Sequence, residues 1–126
     1  MIHDYAIALQ QARRGAEAGD LDACFRFAQM LGLGLGTVQS YAQAVHWYRK
    51  AAQLGHARAQ CNLGFMYGTG RGVPQDYVQA YAWYNLAAAA GEDIARRNRD
   101  AVAERMGAAQ IERAQDLSRE LFDAAG

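Results

Sequence analysis

The chain has 126 residues, 52% of them hydrophobic and 21% charged, and carries no net charge at neutral pH. That is the composition of one ordinary folded domain with a modest core, and it excludes a disordered chain. Lys50 is the single lysine and no run of basic residues builds a one-sign patch, which disfavours generic nucleic-acid binding.

The opening residues, Met1-Ile2-His3-Asp4-Tyr5, contain no basic stretch ahead of an apolar core, so no signal peptide is read there. No apolar run is long enough to span a bilayer. The expected compartment is the cytoplasm, although a chain whose leader had been removed, as for a periplasmic protein, would read the same.

Residues 20–55 and 56–91 are one unit written twice. Many residues of the first copy recur 36 positions later: Ala23 with Ala59, Gly32 with Gly68, Gly34 with Gly70, Gly36 with Gly72, Gln39 with Gln75 and Tyr41 with Tyr77. The match continues through Ala44 and Ala80, Trp47-Tyr48 and Trp83-Tyr84, Ala51-Ala52 and Ala87-Ala88, and Gly55 and Gly91. A fixed period of this size signals stacked repeats, which act by presenting a surface.

The elements follow in chain order. Residues 3–18 carry the period backward and read as the second helix of a unit whose first helix is absent, with Gln11 and Ala12 where Trp47 and Tyr48 stand later. Each full unit reads as helix A, glycine-rich turn, helix B and glycine stop. In the second copy, helix A is predicted over about 57–67, with Ala59, Leu63, Met66 and Tyr67 on its apolar side, and Gly68, Gly70 and Gly72 breaking it. Asp76, and Ser40 in the first copy, are the expected N-caps of helix B. Gly91 and Gly55 stand where a left-handed C-cap requires glycine.

Helix B alternates small and large residues. Ala44, Ala51, Ala80 and Ala87 allow close approach, and Trp47, Tyr48, Trp83 and Tyr84 fill the gaps between neighbours. Beyond Gly91, residues 92–106 read as a third helix A with Ile94, Ala95, Val102 and Met106 inward. Gly107 breaks the chain. Residues 108–123 read as an amphipathic closing helix through Ile111, Ala114, Leu117, Leu121 and Phe122, able to cover the open end of a stack. The expected fold is all-α, a single domain over 1–126. It is an α-solenoid of antiparallel helix pairs with an N-terminal half-repeat (1–19), two full repeats (20–55 and 56–91) and a C-terminal capping pair (92–126).

The chemistry-bearing residues read plainly. His3, His46 and His56 are dispersed, and no pair has the spacing that puts two imidazoles on one metal. They are expected at the surface or at helix ends. Asp20 with Asp22, and Glu92 with Asp93, fall at helix starts, where carboxylates suit the dipole. The glycine-rich turns follow no strand and precede no Gly-Lys-Ser/Thr, so they are not phosphate loops. Arg96, Arg97 and Arg99 are answered nearby by Asp93, Asp100 and Glu104. Cys24 and Cys61 are one step out of the repeat register, which turns the thiols ~100° apart and disfavours a disulfide. No cofactor and no metal site is expected.

Ala59, Leu63-Gly64, Tyr67, Gly70, Gly72-Val73, Asp76, Ala80, Trp83-Tyr84, Ala87-Ala88 and Gly91 resemble the Sel-one-like repeat, a relative of the tetratricopeptide repeat. The first copy departs mildly, with Phe27-Ala28 for Leu-Gly, Leu31 for Tyr and Thr37 for Val. The segment from Asn98-Arg99-Asp100 to Gln110-Ile111 is similar to the ending common in bacterial members, with Gly107-Ala108 in place of the frequent Thr-Pro. The resemblance implies a right-handed superhelix and an adaptor or scaffold role, with a partner protein or peptide on the concave face. It implies no particular partner.

Positions that differ between copies are free to serve recognition. On helix A of the second copy, Arg58, Cys61, Asn62 and Phe65 share one arc opposite Leu63 and Tyr67. Their equivalents are Asp22, Phe25, Arg26 and Gln29 before, and Ile94, Arg97, Asn98 and Ala101 after. In tetratricopeptide relatives this arc lines the concave groove. Aromatics and arginine are the types that dominate binding hot spots. The alternative is that Phe25 and Phe65 are packing residues and the charges a solvated face.

The expected function is therefore non-catalytic binding of a protein or peptide, as a monomer or weak homo-oligomer, with no nucleic-acid or membrane partner. Two other readings stand beside it. Incomplete repeats at both ends could stack on another copy. Hydrolysis of cell-wall amides or lactams has been linked to some cysteine-rich relatives, but those carry paired cysteines in every repeat and this chain does not.

Overall fold

A computed structural model describes residues 4–125 and contains seven helices and no strand among them. They are α1 (Ala6–Glu17), α2 (Leu21–Leu33), α3 (Tyr41–Gln53), α4 (Ala57–Thr69), α5 (Tyr77–Ala89), α6 (Asp93–Ala103) and α7 (Ala108–Ala125). The expected all-α repeat architecture is what the chain adopts. His3 lies outside the described residues.

Helices α2, α3, α4 and α5 each begin where the N-cap side chain accepts an orphan N–H. Asp20 accepts from Ala23 at 3.0 Å, Ser40 from Gln43 at 3.2 Å and Asp76 from Gln79 at 3.1 Å. His56 does the same for α4, its Nδ1 accepting from Ala59 N–H at 3.1 Å. The helices that precede Gly19, Gly55 and Gly91 stop at those glycines, whose φ values of 91°, 93° and 99° lie in the left-handed region.

Two expectations about helix A are corrected. Gly68 and Gly32 do not break their helices, which run on to Thr69 and Leu33. A Cβ at either position would stand 3.6 Å from Ala80 or Ala44, so these glycines let helix B approach closely from inside the helix. The break comes at Gly70 and Gly34, with φ of 71° and 70°.

Antiparallel pairs α2/α3 and α4/α5 form the two repeats. α1 packs on α2, α3 on α4, and α5 on α6, so helices adjacent in sequence are adjacent in space. The core follows the alternation of small and large residues. Ala44, Ala51, Ala80 and Ala87 are fully buried, and Phe27, Leu31, Tyr48, Leu63, Trp83 and Tyr84 fill the space between helices. Trp83 is 4% exposed, whereas Trp47 is half-buried, its ring edge-on to Phe27 at 5.3 Å and covered by the Lys50 ammonium at 4.9 Å.

The difference between the two tryptophan-bearing helices comes from α7. This helix packs chiefly on α5, touches α3, and makes little contact with α6. Ala82, Leu86 and Ala89 on α5 stand where α3 has His46, Lys50 and Gln53, and this apolar stripe reaches α7. Helix α5 is thereby buried all round. Two further expectations are corrected at this end. Ile94 is 62% exposed, because the inward side of α6 is the one carrying Ala95. Phe122 is 65% exposed, and Ser118 faces α5 instead, its hydroxyl donating to the Ala114 carbonyl at 2.7 Å.

Candidate functional site

The predicted arc is built by α2, α4 and α6, the A helices, and the structure gives it depth. A pocket of about 340 Å³ lies between the first and second units, and one of about 560 Å³ between the second and third. The two are the same feature one repeat apart. Gln29, Gly32, Gln39, Tyr41, Tyr48 and Asn62 line the first; Phe65, Gly68, Gln75, Tyr77, Tyr84 and Asn98, each 36 residues on, line the second. Phe65 belongs to both, as the far wall of one and the near wall of the other.

The floor of each pocket is a buried tyrosine from helix B. Asn62 Nδ2 donates to the Tyr48 hydroxyl at 3.1 Å, and Asn98 is hydrogen-bonded to Tyr84. Burial pushes the Tyr48 phenol up from its ordinary range, against a smaller lowering by Asn62. Burial, with Cys61 nearby, pushes Tyr84 up to about 12. Both rings are therefore neutral phenols at physiological pH, suited to hydrogen bonding and not to nucleophilic attack. The rim is fixed by a repeated glutamine. Gln39 Nε2 donates to the Gly32 carbonyl at 2.7 Å and to the Tyr41 hydroxyl at 3.3 Å; Gln75 does the same to Gly68 and Tyr77 at 2.9 and 3.4 Å. These bonds satisfy an orphan carbonyl of the last helical turn and hold the rim tyrosines in place.

The structure sorts the sequence-predicted residues. Gln29, Asn62 and Phe65 come together in the first pocket, where Phe65 is 42% exposed. Phe25 does not join them. At 4% exposure it is a packing residue, correcting its place among the binding candidates. Its ring stacks on His56 at 5.1 Å, tilts against Tyr48 at 5.9 Å, and is covered by the Arg58 guanidinium at 4.7 Å. Asp22 is engaged as well, with its carboxylate 2.8 Å from His56 Nε2. The same imidazole thus caps α4, stacks on Phe25 and ties the first repeat to the second. Arg26 and Arg97 are exposed, and Cys61 is half-buried. Both cysteines are free, and burial pushes both thiols up, away from the thiolate.

Sequence reasoning missed the arginines at the pocket mouths. Arg71 lies over the rings of Phe65 at 5.2 Å and Tyr41 at 5.6 Å and lines the first pocket; Arg105 lines the second. Arg71 sits inside the repeated Gly70-Arg71-Gly72 frame where the first copy has Leu35, a difference between copies that was visible in the sequence. Among the described residues no His/Cys/Asp/Glu group could hold a metal ion, and no helix is long and apolar enough to cross a membrane.

Comparison with known proteins agrees with the repeat fold. The Sel1 repeat family model matches residues 21–56 and 57–92, and the chain belongs to that family. It is similar to the crystal structure of c5321, a protective antigen of uropathogenic Escherichia coli strains displaying an SLR fold, with a TM-score of 0.91 and 34% identity over 94% of this chain. It is similar also to a Sel1 repeat protein from Oxalobacter formigenes, with a TM-score of 0.73 and 33% identity over 76% of this chain. The chain spans 26% of the first of these proteins and 40% of the second. No curated protein matches it. Repeats of this family commonly serve as protein–protein interaction modules.

Proposed function

We propose that this chain is a non-catalytic adaptor that holds a partner protein or peptide against its A-helix face. The observation that carries this reading is the pair of period-related pockets sharing Phe65. A row of equivalent subsites suits a ligand that is itself a repeating polymer, and an extended polypeptide offers its backbone and side chains at regular intervals. The half-exposed phenylalanine, the stacked arginines and the pre-fixed amides are the side-chain types that anchor interfaces. The tyrosine floor is already desolvated and hydrogen-bonded, so binding need not order it. The thiols and phenols near the face are held in their neutral forms, which favours binding over nucleophilic chemistry.

The test is capture from a lysate of the source cells with wild-type, Phe65→Asp and Phe122→Asp proteins as baits, fold being checked by circular dichroism. Phe122 is a control exposed aromatic on α7. The expected result is a set of proteins retained by wild type and by Phe122→Asp and lost from Phe65→Asp. Retention by a folded Phe65→Asp protein would contradict the reading.

A further inference from the structure

The charge on the A-helix face is lopsided. Among the arc residues and pocket linings, Arg26, Arg58, Arg71, Arg97 and Arg105 stand against Asp22, which is engaged by His56; Asp93, paired with Arg96, and Glu104 lie beside them at α6. The whole chain is neutral, so the remainder of the molecule is acidic overall. None of these five arginines forms an ion pair among the described residues, although Asp93, Asp100 and Asp22 all find cationic or imidazole partners elsewhere. Arg71 and Arg58 instead lie over aromatic faces. A guanidinium stacked on a ring keeps its in-plane N–H edge free, and that edge matches a carboxylate with two parallel bonds.

From this placement we infer that the partner is an acidic, extended peptide segment, with carboxylate side chains that meet Arg71 at the first pocket and Arg105 at the second. The inference rests on the groove reading above and adds the chemistry of the ligand. Packed helices are spaced by about 8–10 Å and an extended chain advances ~3.3 Å per residue. Consecutive A helices are farther apart than packed neighbours, since each packs on the intervening B helix, so subsites on successive repeats suit acidic residues three or more positions apart. The uncharged groups between the arginines, Asn62, Asn98 and the rim tyrosines, face the intervening peptide backbone and small side chains. An acidic body around a basic groove also orients such a ligand during approach, an effect that weakens with salt.

The test selects dodecapeptides from a random displayed library on the immobilised wild-type chain. The enriched sequences are then synthesised with a fluorescent label and titrated by anisotropy. The expected sequences are rich in Asp and Glu spaced three or more positions apart. Their affinity should drop at least about tenfold, as for loss of charge-assisted bonds, in the Arg71→Gln/Arg105→Gln double variant and when the peptide carboxylates become amides. Both arginines are exposed, so the variant should keep its helical spectrum. Neutral or basic selected sequences, or affinity unchanged in the double variant, would overturn the inference. So would a labelled single-stranded RNA that binds the same arginines more tightly than the peptides. Phe65→Ala separates the two levels. Neutral peptides that lose binding in Phe65→Ala would end the acidic inference and leave the groove standing. Peptides of any charge indifferent to Phe65→Ala, or no enrichment at all, would end both.

Discussion

Gly72→Ala tests how one repeat seats on the previous one. Gly72 has φ of 73°, and a Cβ added there would lie 2.5 Å from the Tyr41 carbonyl oxygen and 2.6 Å from its carbonyl carbon. Both are backbone atoms at the start of α3, so no rotamer change can relieve the overlap. The turn of the second repeat therefore rests directly on the first turn of the preceding helix B. Gly55→Ala is the matched control, because Gly55 has φ of 93° and nothing within 4 Å of a built Cβ. A left-handed alanine alone costs ~1–2 kcal/mol, and that is the loss expected for Gly55→Ala. Forced overpacking adds ~1–3 kcal/mol, so Gly72→Ala should lose about 2–5 kcal/mol. Gly36→Ala, whose Cβ would meet the Tyr5 carbonyl oxygen at 2.9 Å, should fall between them. Urea unfolding followed by circular dichroism measures all three. Equal losses for Gly72→Ala and Gly55→Ala would refute the inter-repeat seating.

Other perturbations follow from the same packing. Trp83→Ala should lose ~3–5 kcal/mol, the range for deleting a large core ring, and half-buried Trp47→Ala should lose less; equal urea midpoints would contradict the role given to α7. His56→Ala removes a cap and a stacked ring, and a loss of about 1–2 kcal/mol is expected, against a near-neutral change for exposed His46→Ala by the same assay. Tyr48 and Tyr84 both have raised phenol pKa values in the folded chain, Tyr84 near 12. Their neutral forms support the fold below the ordinary tyrosine range near 10; above it the unfolded chain loses protons that the folded chain keeps, so stability falls as pH rises from about 10 to 12. Thermal midpoints across that range should decline in wild type and decline less in Tyr84→Phe.

Much of this was legible in the sequence because repetition exposes local rules. The caps Ser40 and Asp76, the stops Gly55 and Gly91 and the small–large alternation on helix B each express contacts within a few residues or one helix face, and each appears twice. What was not legible depended on contacts between distant segments. Phe25 looked available because its own helix places it on the open arc; the residues that bury it, His56 and Arg58, belong to the next repeat. Gly68 looked like a helix breaker, yet its role is set by Ala80 on the facing helix. The docking of α7 on α5 had a sequence signal in the replacement of His46, Lys50 and Gln53 by Ala82, Leu86 and Ala89. That stripe gains meaning only once an extra helix is placed over it. Arg71 was masked by the glycine frame around it, which drew attention to backbone geometry over the side chain at the pocket mouth.

The central claim is that ligands dock between consecutive A helices over the tyrosine floor. Nuclear magnetic resonance of the nitrogen-labelled chain, titrated with a library-selected dodecapeptide, tests it most directly, because Asn62, Asn98, Gln39 and Gln75 each carry a side-chain amide signal in or beside the two pockets. The account predicts that these amides and the backbone around Phe65 and Arg71 shift together, while signals on the α7 side, around Leu54, Ala89 and Phe122, stay in place. Shifts concentrated on the α7 side, with the pocket amides unmoved, would contradict it.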